Sequence, residues 1–175
     1  MDSQKLMSKR ALKNYVLELP KEELALQLID LYERFPEVKT YYDFIFNPKE
    51  DKLVQEAKTK ISNEYFPLKR KRPKARRSVA QKFIKHFLKL GMQPSLVADV
   101  MCFNLEIGQT FSMDRTVSES FYKSMANSFT EMTQFVSQNG LLPEFKERIV
   151  KTYQHTQTEY WPFREEFSKA LDILD

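Results

Sequence analysis

The chain has 175 residues, of which 42% are hydrophobic and 30% charged, and its formal net charge is +4. This balance indicates one globular domain, 1–175, and excludes an intrinsically disordered chain. Three glycines, Gly91, Gly108 and Gly140, are too few and too scattered for a P-loop, a dinucleotide fingerprint or a turn-rich β fold. The single cysteine, Cys102, excludes an intrachain disulfide and a cysteine-based zinc site.

Helical periodicity and the positions of proline predict four helices in the first third of the chain. Ser8 can cap the first, and Pro20 and Pro36 can begin the second and third. The narrow apolar stripe of the fourth helix predicts a surface position. The four predicted ranges are 8–19, 20–35, 36–46 and 50–65.

Five more helices are predicted in the rest of the chain, at 78–90, 94–111, 117–138, 143–160 and 162–174. The helix over 78–90 is amphipathic, and Gly91 follows it as a C-terminal cap. The helix over 94–111 is apolar nearly all round, which indicates a central position. With eight or nine helices and no convincing strand, the sequence predicts an all-α fold, either an irregular bundle or a short helical solenoid.

The positive charge is concentrated between Lys69 and Lys89, where ten Lys or Arg occur without a single acid. The formal charge is −1 before this element, +10 within it and −5 after it. Pro67 and Pro73 interrupt helical structure at its start, so 67–77 is interpreted as a basic connector. Helical spacing then continues the cationic surface along the outer face of the next helix.

Such a surface suits a phosphate backbone, because each neutralised phosphate releases counterions and arginine can bind phosphate with two hydrogen bonds. Tyr65 and Phe66 could add base stacking, which favours RNA or single strands over duplex DNA. The first hypothesis is therefore a non-enzymatic nucleic-acid-binding protein. The residues predicted to contact phosphates are Arg70, Arg72, Lys74, Arg76, Arg77, Lys82, Lys85 and Lys89.

Other interpretations of the basic element stay open. It could be a solvated or self-paired arm, or part of a helical interaction module that binds an acidic protein partner. Small anions, lipid headgroups and a nuclear-localisation-like signal are further alternatives.

Two acids on the predicted central helix, Asp99 and Glu106, lie seven residues apart and hence on one face, about 10 Å apart. Because this helix is expected to be buried, the acids need partners, either in a salt bridge or in a polar cleft where they orient arginines toward a ligand. The nearest basic candidates in sequence are Arg76, Arg77, Lys82 and His86. An enzyme built on this cleft is a lesser hypothesis.

Metal, cofactor and nucleophile chemistry have little support. His86 and His155 lie on different predicted helices, and no Glu-x-x-His motif is present. No serine lies in a strand–turn–helix elbow. We therefore expect no catalytic residue, metal or cofactor. The chain carries neither a secretory signal nor a membrane span, which predicts a cytoplasmic protein.

Four stretches resemble a family of small uncharacterised bacterial proteins: Met7–Arg10 with Leu12, Asp30–Tyr32, Arg72–Lys82 and Phe121-Tyr122. The stretch around Lys74–Lys82 is the most specific, and the similarity covers nearly the whole chain. This resemblance to a domain of unknown function implies a bacterial, cytoplasmic and all-helical protein. It implies no activity.

Overall fold

A computed structural model describes residues 8–69 and 72–174, and within these ranges it contains nine α-helices, one short 3₁₀ helix and no strand. The all-α prediction is confirmed. The α-helices are α1 Lys9–Glu18, α2 Lys21–Arg34, α3 Pro36–Phe46, α4 Glu50–Tyr65, α5 Arg77–Leu90, α6 Pro94–Met113, α7 Glu119–Gln138, α8 Leu142–Thr158 and α9 Arg164–Leu171. The 3₁₀ helix Asp172–Leu174 follows α9. None of the described helices is long and apolar enough to cross a bilayer.

Local chemistry sets several helix ends. The Ser8 hydroxyl accepts a hydrogen bond from the Ala11 amide, 3.2 Å away, and so caps α1. Pro36 and Pro94 occupy the first turns of α3 and α6, where a missing N–H costs nothing. Gly91 ends α5 in the left-handed conformation, with φ +71°.

Contacts divide the chain into two compact units, one ending at Pro48 and the other beginning at Lys49. The first holds α1, α2 and α3, and none of their residues is buried. The Tyr32 hydroxyl joins α2 to α3 by donating a hydrogen bond to the Asp43 carboxylate at 2.6 Å, and Lys39 Nζ, within α3, donates to the other oxygen of this carboxylate at 2.8 Å. These two hydrogen bonds, the one from Lys39 being the stronger influence, lower the pKa of Asp43.

The second unit contains every buried residue that the structure describes. Its centre is α6, which has ten buried positions and packs against α4, α5, α7 and α8. The predicted central position of this helix is thus confirmed. The predicted surface position of α4 is confirmed: the stripe of Val54, Ala57 and Ile61 is at most 3% exposed and packs against the rest of the unit, while the polar side of the helix is exposed. A narrow apolar stripe is enough to pack α4 against a neighbouring helix, because the small side chain of Ala57 lets the two helices approach closely.

Aromatic side chains fill the space between α7 and α9. The Phe129 and Phe167 rings lie 5.1 Å apart and are both fully buried. Trp161, in the connection between α8 and α9, packs edge-on against Tyr122 and Phe167. Burial of such rings supplies a large part of the hydrophobic stabilisation of a small domain.

Candidate nucleic-acid interface

The helix α5 has one buried face and one charged face. Ala80, Ile84, Phe87 and Leu90 are buried in the core of the second unit. The charged side chains on the opposite side are exposed, namely those of Lys82, Lys85, His86 and Lys89. Leu88 lies at the edge of the buried face and is 49% exposed. The core contacts therefore fix the direction in which the lysines point.

The connector that precedes α5 is attached to the end of α4. The Arg76 guanidinium binds the Glu64 carboxylate through two hydrogen bonds, Nε to Oε2 at 2.8 Å and Nη2 to Oε1 at 3.0 Å. The backbone amides of Lys74 and Ala75 both donate to the Glu64 carbonyl oxygen. These contacts hold Ala75 at φ +46°, a conformation that alanine rarely adopts. Hydrogen bonding to Glu64 also raises the pKa of Arg76.

A second attachment joins the start of α5 to α7. Arg77 donates from Nε to the Ser128 hydroxyl at 2.8 Å and from Nη2 to the Glu131 carboxylate at 2.9 Å. Gln81, one turn further along α5, donates to the other oxygen of Glu131. Two of the arginines predicted to contact phosphate are therefore bound to carboxylates of this chain.

The other described residues predicted to contact phosphate are not paired with carboxylates in this way. Within the described parts of the chain, five of them are exposed and form no ion pair: Arg72, Lys74, Lys82, Lys85 and Lys89. Arg70 lies outside the described residues. The basic surface, as we use the term below, consists of these five exposed residues together with Arg76 and Arg77.

A hollow of about 350 Å³ opens beside the connector. Lys74 and Arg77 lie on one side of it, and the first turns of α7 contribute the hydroxyl groups of Ser118, Ser120 and Ser124. The half-buried ring of Phe121 forms part of its wall. This hollow thus combines cations, hydroxyl groups and an aromatic surface.

The prediction that Tyr65 stacks on a base is wrong. Its ring is 1% exposed and packs against Phe111, with 5.4 Å between ring centroids. Burial raises the pKa of the Tyr65 phenol to about 12. Phe66, the other predicted stacking residue, is 39% exposed and stays accessible. Tyr65 faces the core because it continues the buried stripe of Ile61 by one turn.

Asp99 and Glu106 meet partners that the sequence analysis did not anticipate. Arg148 of α8 donates from Nη1 to Asp99 at 2.8 Å and binds both oxygens of Glu106, at 2.7 and 2.8 Å. Lys58 of α4 lies 2.6 Å from the other oxygen of Asp99. The expected partners on the preceding helix (Arg76, Arg77, Lys82 and His86) are not involved, because the face of α6 that carries the two acids packs toward α4 and α8.

These contacts shift ionisation equilibria in opposite directions. Partial burial disfavours the charged form of Asp99, but hydrogen bonds from Lys58 and Arg148 outweigh it and lower the pKa of this carboxyl. The hydrogen bonds to Glu106 and then Asp99 raise the pKa of Arg148 despite its burial. The thiol of Cys102 is buried, and this burial raises its pKa to about 12, which makes it a poor nucleophile.

Sequence reasoning missed the residues that hold the charged groups: Lys58, Glu64, Glu131 and Arg148. Each occupies an ordinary polar position on a helix, and its partner is 12 to 54 residues away in sequence. No local pattern marks such a pair. Across the described residues, no group of three or more His, Cys, Asp or Glu side chains is arranged to hold a metal ion.

The geometry defines an all-α protein whose basic surface is fixed to the rest of its second unit by two arginine–glutamate pairs. The chain belongs to the family of unknown function DUF6155, whose sequence pattern matches residues 7–175. Comparison with curated proteins finds no significant match, and neither does comparison with solved structures.

Proposed function

We propose that this protein is a non-enzymatic nucleic-acid-binding protein that prefers RNA to DNA and uses the basic surface. The observation that carries the proposal is the row of Lys82, Lys85 and Lys89. These side chains are exposed, have no ion pair among the described residues, and stand on a helix whose opposite face is buried. Cations without an internal partner are available to a polyanion.

The spacing of the row suits an extended ligand. The three lysines follow one another at intervals of three and four residues, so they are about 4.5 and 6 Å apart along the helix axis. Because the core fixes α5, little backbone conformational freedom is lost when the lysines bind. Each phosphate they neutralise releases counterions, which makes binding favourable at low salt.

The two paired arginines support the proposal in a different role. Glu64 and Glu131 hold Arg76 and Arg77 in place, and each guanidinium carries five N–H donors, of which two are used by these contacts. The remaining donors can still contact phosphate, while the carboxylates position the connector. We therefore assign Arg76 and Arg77 mainly as positioning residues.

The preference for single-stranded RNA rests on the hollow beside Lys74. Its size and its mixture of hydroxyl groups with the Phe121 ring suit a single nucleotide whose base is not stacked in a duplex. A rigid duplex could contact the lysine row but could not place a base in this hollow.

A second candidate function is the binding of an acidic protein segment. The observation that favours it is that Glu64 and Glu131 already bind arginines of the basic surface. An acidic segment of a partner would present the same carboxylate chemistry.

Fluorescence anisotropy with labelled 20-nucleotide single-stranded RNA, single-stranded DNA, duplex DNA and a glutamate-rich peptide of similar charge would test both functions. We expect RNA to bind with micromolar affinity or tighter at 50 mM salt, and to bind more tightly than duplex DNA. Absence of binding to every nucleic acid at this salt concentration would exclude the proposed function. Binding of the peptide alone would establish the second candidate instead.

A further inference from the structure

A second, separate cleft lies between α6 and α8. Its volume is about 340 Å³, at the low end of the range of roughly 300–1,000 Å³ for pockets that hold small molecules. Glu106, Gln109, Thr110 and Met113 line it from α6, and Arg148, Lys151, Thr152 and His155 line it from α8. Both sets follow the spacing i, i+3, i+4, i+7, so one continuous stripe of each helix forms a wall.

Fixed polar groups form part of these walls. Arg148 is held by three hydrogen bonds to Asp99 and Glu106. Gln109, which is 8% exposed, donates to the Thr152 carbonyl oxygen at 2.8 Å. Side chains that are already ordered lose little conformational freedom when they bind a ligand.

The charges at the cleft favour an anion. The salt-bridge network of Lys58, Asp99, Arg148 and Glu106 contains two cations and two carboxylates and is neutral as a whole. Lys151 adds a positive charge, since it is exposed and has no ion pair with any described residue. Three of the five N–H donors of Arg148 are used in the network, which leaves two.

His155 provides an imidazole that can either donate or accept a hydrogen bond. Its Nε2 atom is buried without a hydrogen-bond partner among the described residues. The Trp161 ring lies edge-on to the imidazole, with 5.8 Å between centroids. Because no described protein atom forms a hydrogen bond with Nε2, the imidazole, which lines the cleft, can donate or accept a hydrogen bond there.

We propose that this cleft binds a small organic anion, with its carboxylate or phosphate group at Lys151 and Arg148 and a hydroxyl group at His155. The inference is independent of nucleic-acid binding, since none of these residues belongs to the basic surface. It assigns to Asp99 and Glu106 the orientation of an arginine toward a ligand, with Arg148 in place of the arginines that the sequence suggested.

The test uses the full chain, labelled with ¹⁵N, and three probes: 3-hydroxybutyrate, glycerol 3-phosphate and the uncharged 1,3-butanediol. Titrations followed by NMR would monitor the side-chain amide of Gln109, which lies in the cleft. The variants are Lys151→Gln and His155→Phe, and Lys146→Gln, an exposed lysine on the same helix outside the cleft, is the matched control.

We expect at least one of the two anions to shift the Gln109 signals in a saturable way and butanediol to leave them unchanged. Lys151→Gln should weaken binding by about tenfold, the usual effect of losing one charge-assisted hydrogen bond, and Lys146→Gln by less than twofold. Which anion binds distinguishes a carboxylate ligand from a phosphate ligand. The proposal is overturned if neither anion shifts the Gln109 signals at about 10 mM probe, a concentration on the order of the weakest specific dissociation constants. It is also overturned if Lys151→Gln and Lys146→Gln change the binding affinity equally.

Discussion

At the scale of single residues, buried and half-buried carboxylates determine where the cations of this protein lie. Glu64 is 6% exposed, and its side chain and carbonyl oxygen together bind Arg76 and the backbone of the connector. Asp99 and Glu106 do the same for Arg148. A small number of acids therefore hold Arg76, Arg77 and Arg148 in place, whereas the core contacts of α5 fix the lysine row.

The variant Glu64→Gln tests the attachment of the connector. We expect it to lower the free energy of unfolding by about 1 kcal/mol, because the amide can accept only one of the two hydrogen bonds from Arg76 and carries no charge, while this half-exposed arginine can rehydrate. Hydrogen exchange at the amides of Lys74 and Ala75 should become faster. Glu56→Gln is the control, since its contact with Lys52 is long and exposed. It should cost less than about 0.5 kcal/mol.

Ionisation of Asp99 should make the fold sensitive to acid. Its pKa is lower in the folded state than the ordinary value of 3.8. The stabilisation from ionised Asp99 is thus complete above about pH 5 and disappears as the pH falls through 3.8 and then the folded value. Urea unfolding from pH 7 to pH 2 should show a shallower loss of stability for Asp99→Asn than for the parent chain. Asp114→Asn, at an exposed position, is the control and should lose stability as steeply as the parent chain. If Asp114→Asn loses stability as gradually as Asp99→Asn does, this assignment is contradicted.

At the scale of the helices, the capping of α5 gives a direct test of backbone geometry. Gly91 has φ +71°, and a Cβ atom added there would meet nothing within 4 Å, so any cost of Gly91→Ala comes from the backbone alone. We expect a loss of about 1 kcal/mol in thermal or chemical unfolding. Lys89→Ala, an exposed substitution in the last turn, should change stability by less than about 0.5 kcal/mol. A neutral Gly91→Ala would rule out the left-handed cap.

The elements could be predicted from the sequence because their signals are local. Proline, a capping serine and a terminal glycine mark helix ends within one turn, and the apolar character of α6 indicates its central position. The candidate sites could be predicted only in part. The lysine row follows from helical spacing, whereas the pairs Arg76–Glu64 and Arg148–Glu106 depend on which helices become neighbours. That choice is made by packing of the whole core and leaves no mark within a short window of sequence.

At the scale of the whole molecule, the core and both candidate sites lie in the unit that begins at Lys49. The described part of the first unit, from residue 8 on, has three short helices and no buried residue. Isolated helices of this length are marginally stable in water. The distribution of buried residues therefore predicts very different stabilities for the two parts of the chain.

A chain that begins at Lys49 should fold by itself. We expect it to unfold in one cooperative transition by circular dichroism, and we expect a peptide of residues 1–48 to show little helix. A truncated chain without a cooperative transition would indicate that residues 1–175 form one interdependent domain, as the length of the sequence suggests.

The salt dependence of RNA binding tests the proposed function most directly. A triple variant Lys82→Gln, Lys85→Gln and Lys89→Gln would be compared with Lys123→Gln, Lys146→Gln and Lys169→Gln, which removes three exposed lysines from α7, α8 and α9 and has the same net charge. With about 0.7 counterions released per phosphate of a single strand, the plot of log K against log salt should become shallower by about 2 for the α5 variant. The control should keep its slope within about 0.5 of the parent chain. Equal slopes for the two variants would mean that net charge, and not the lysine row of α5, binds the RNA, and would contradict the proposal.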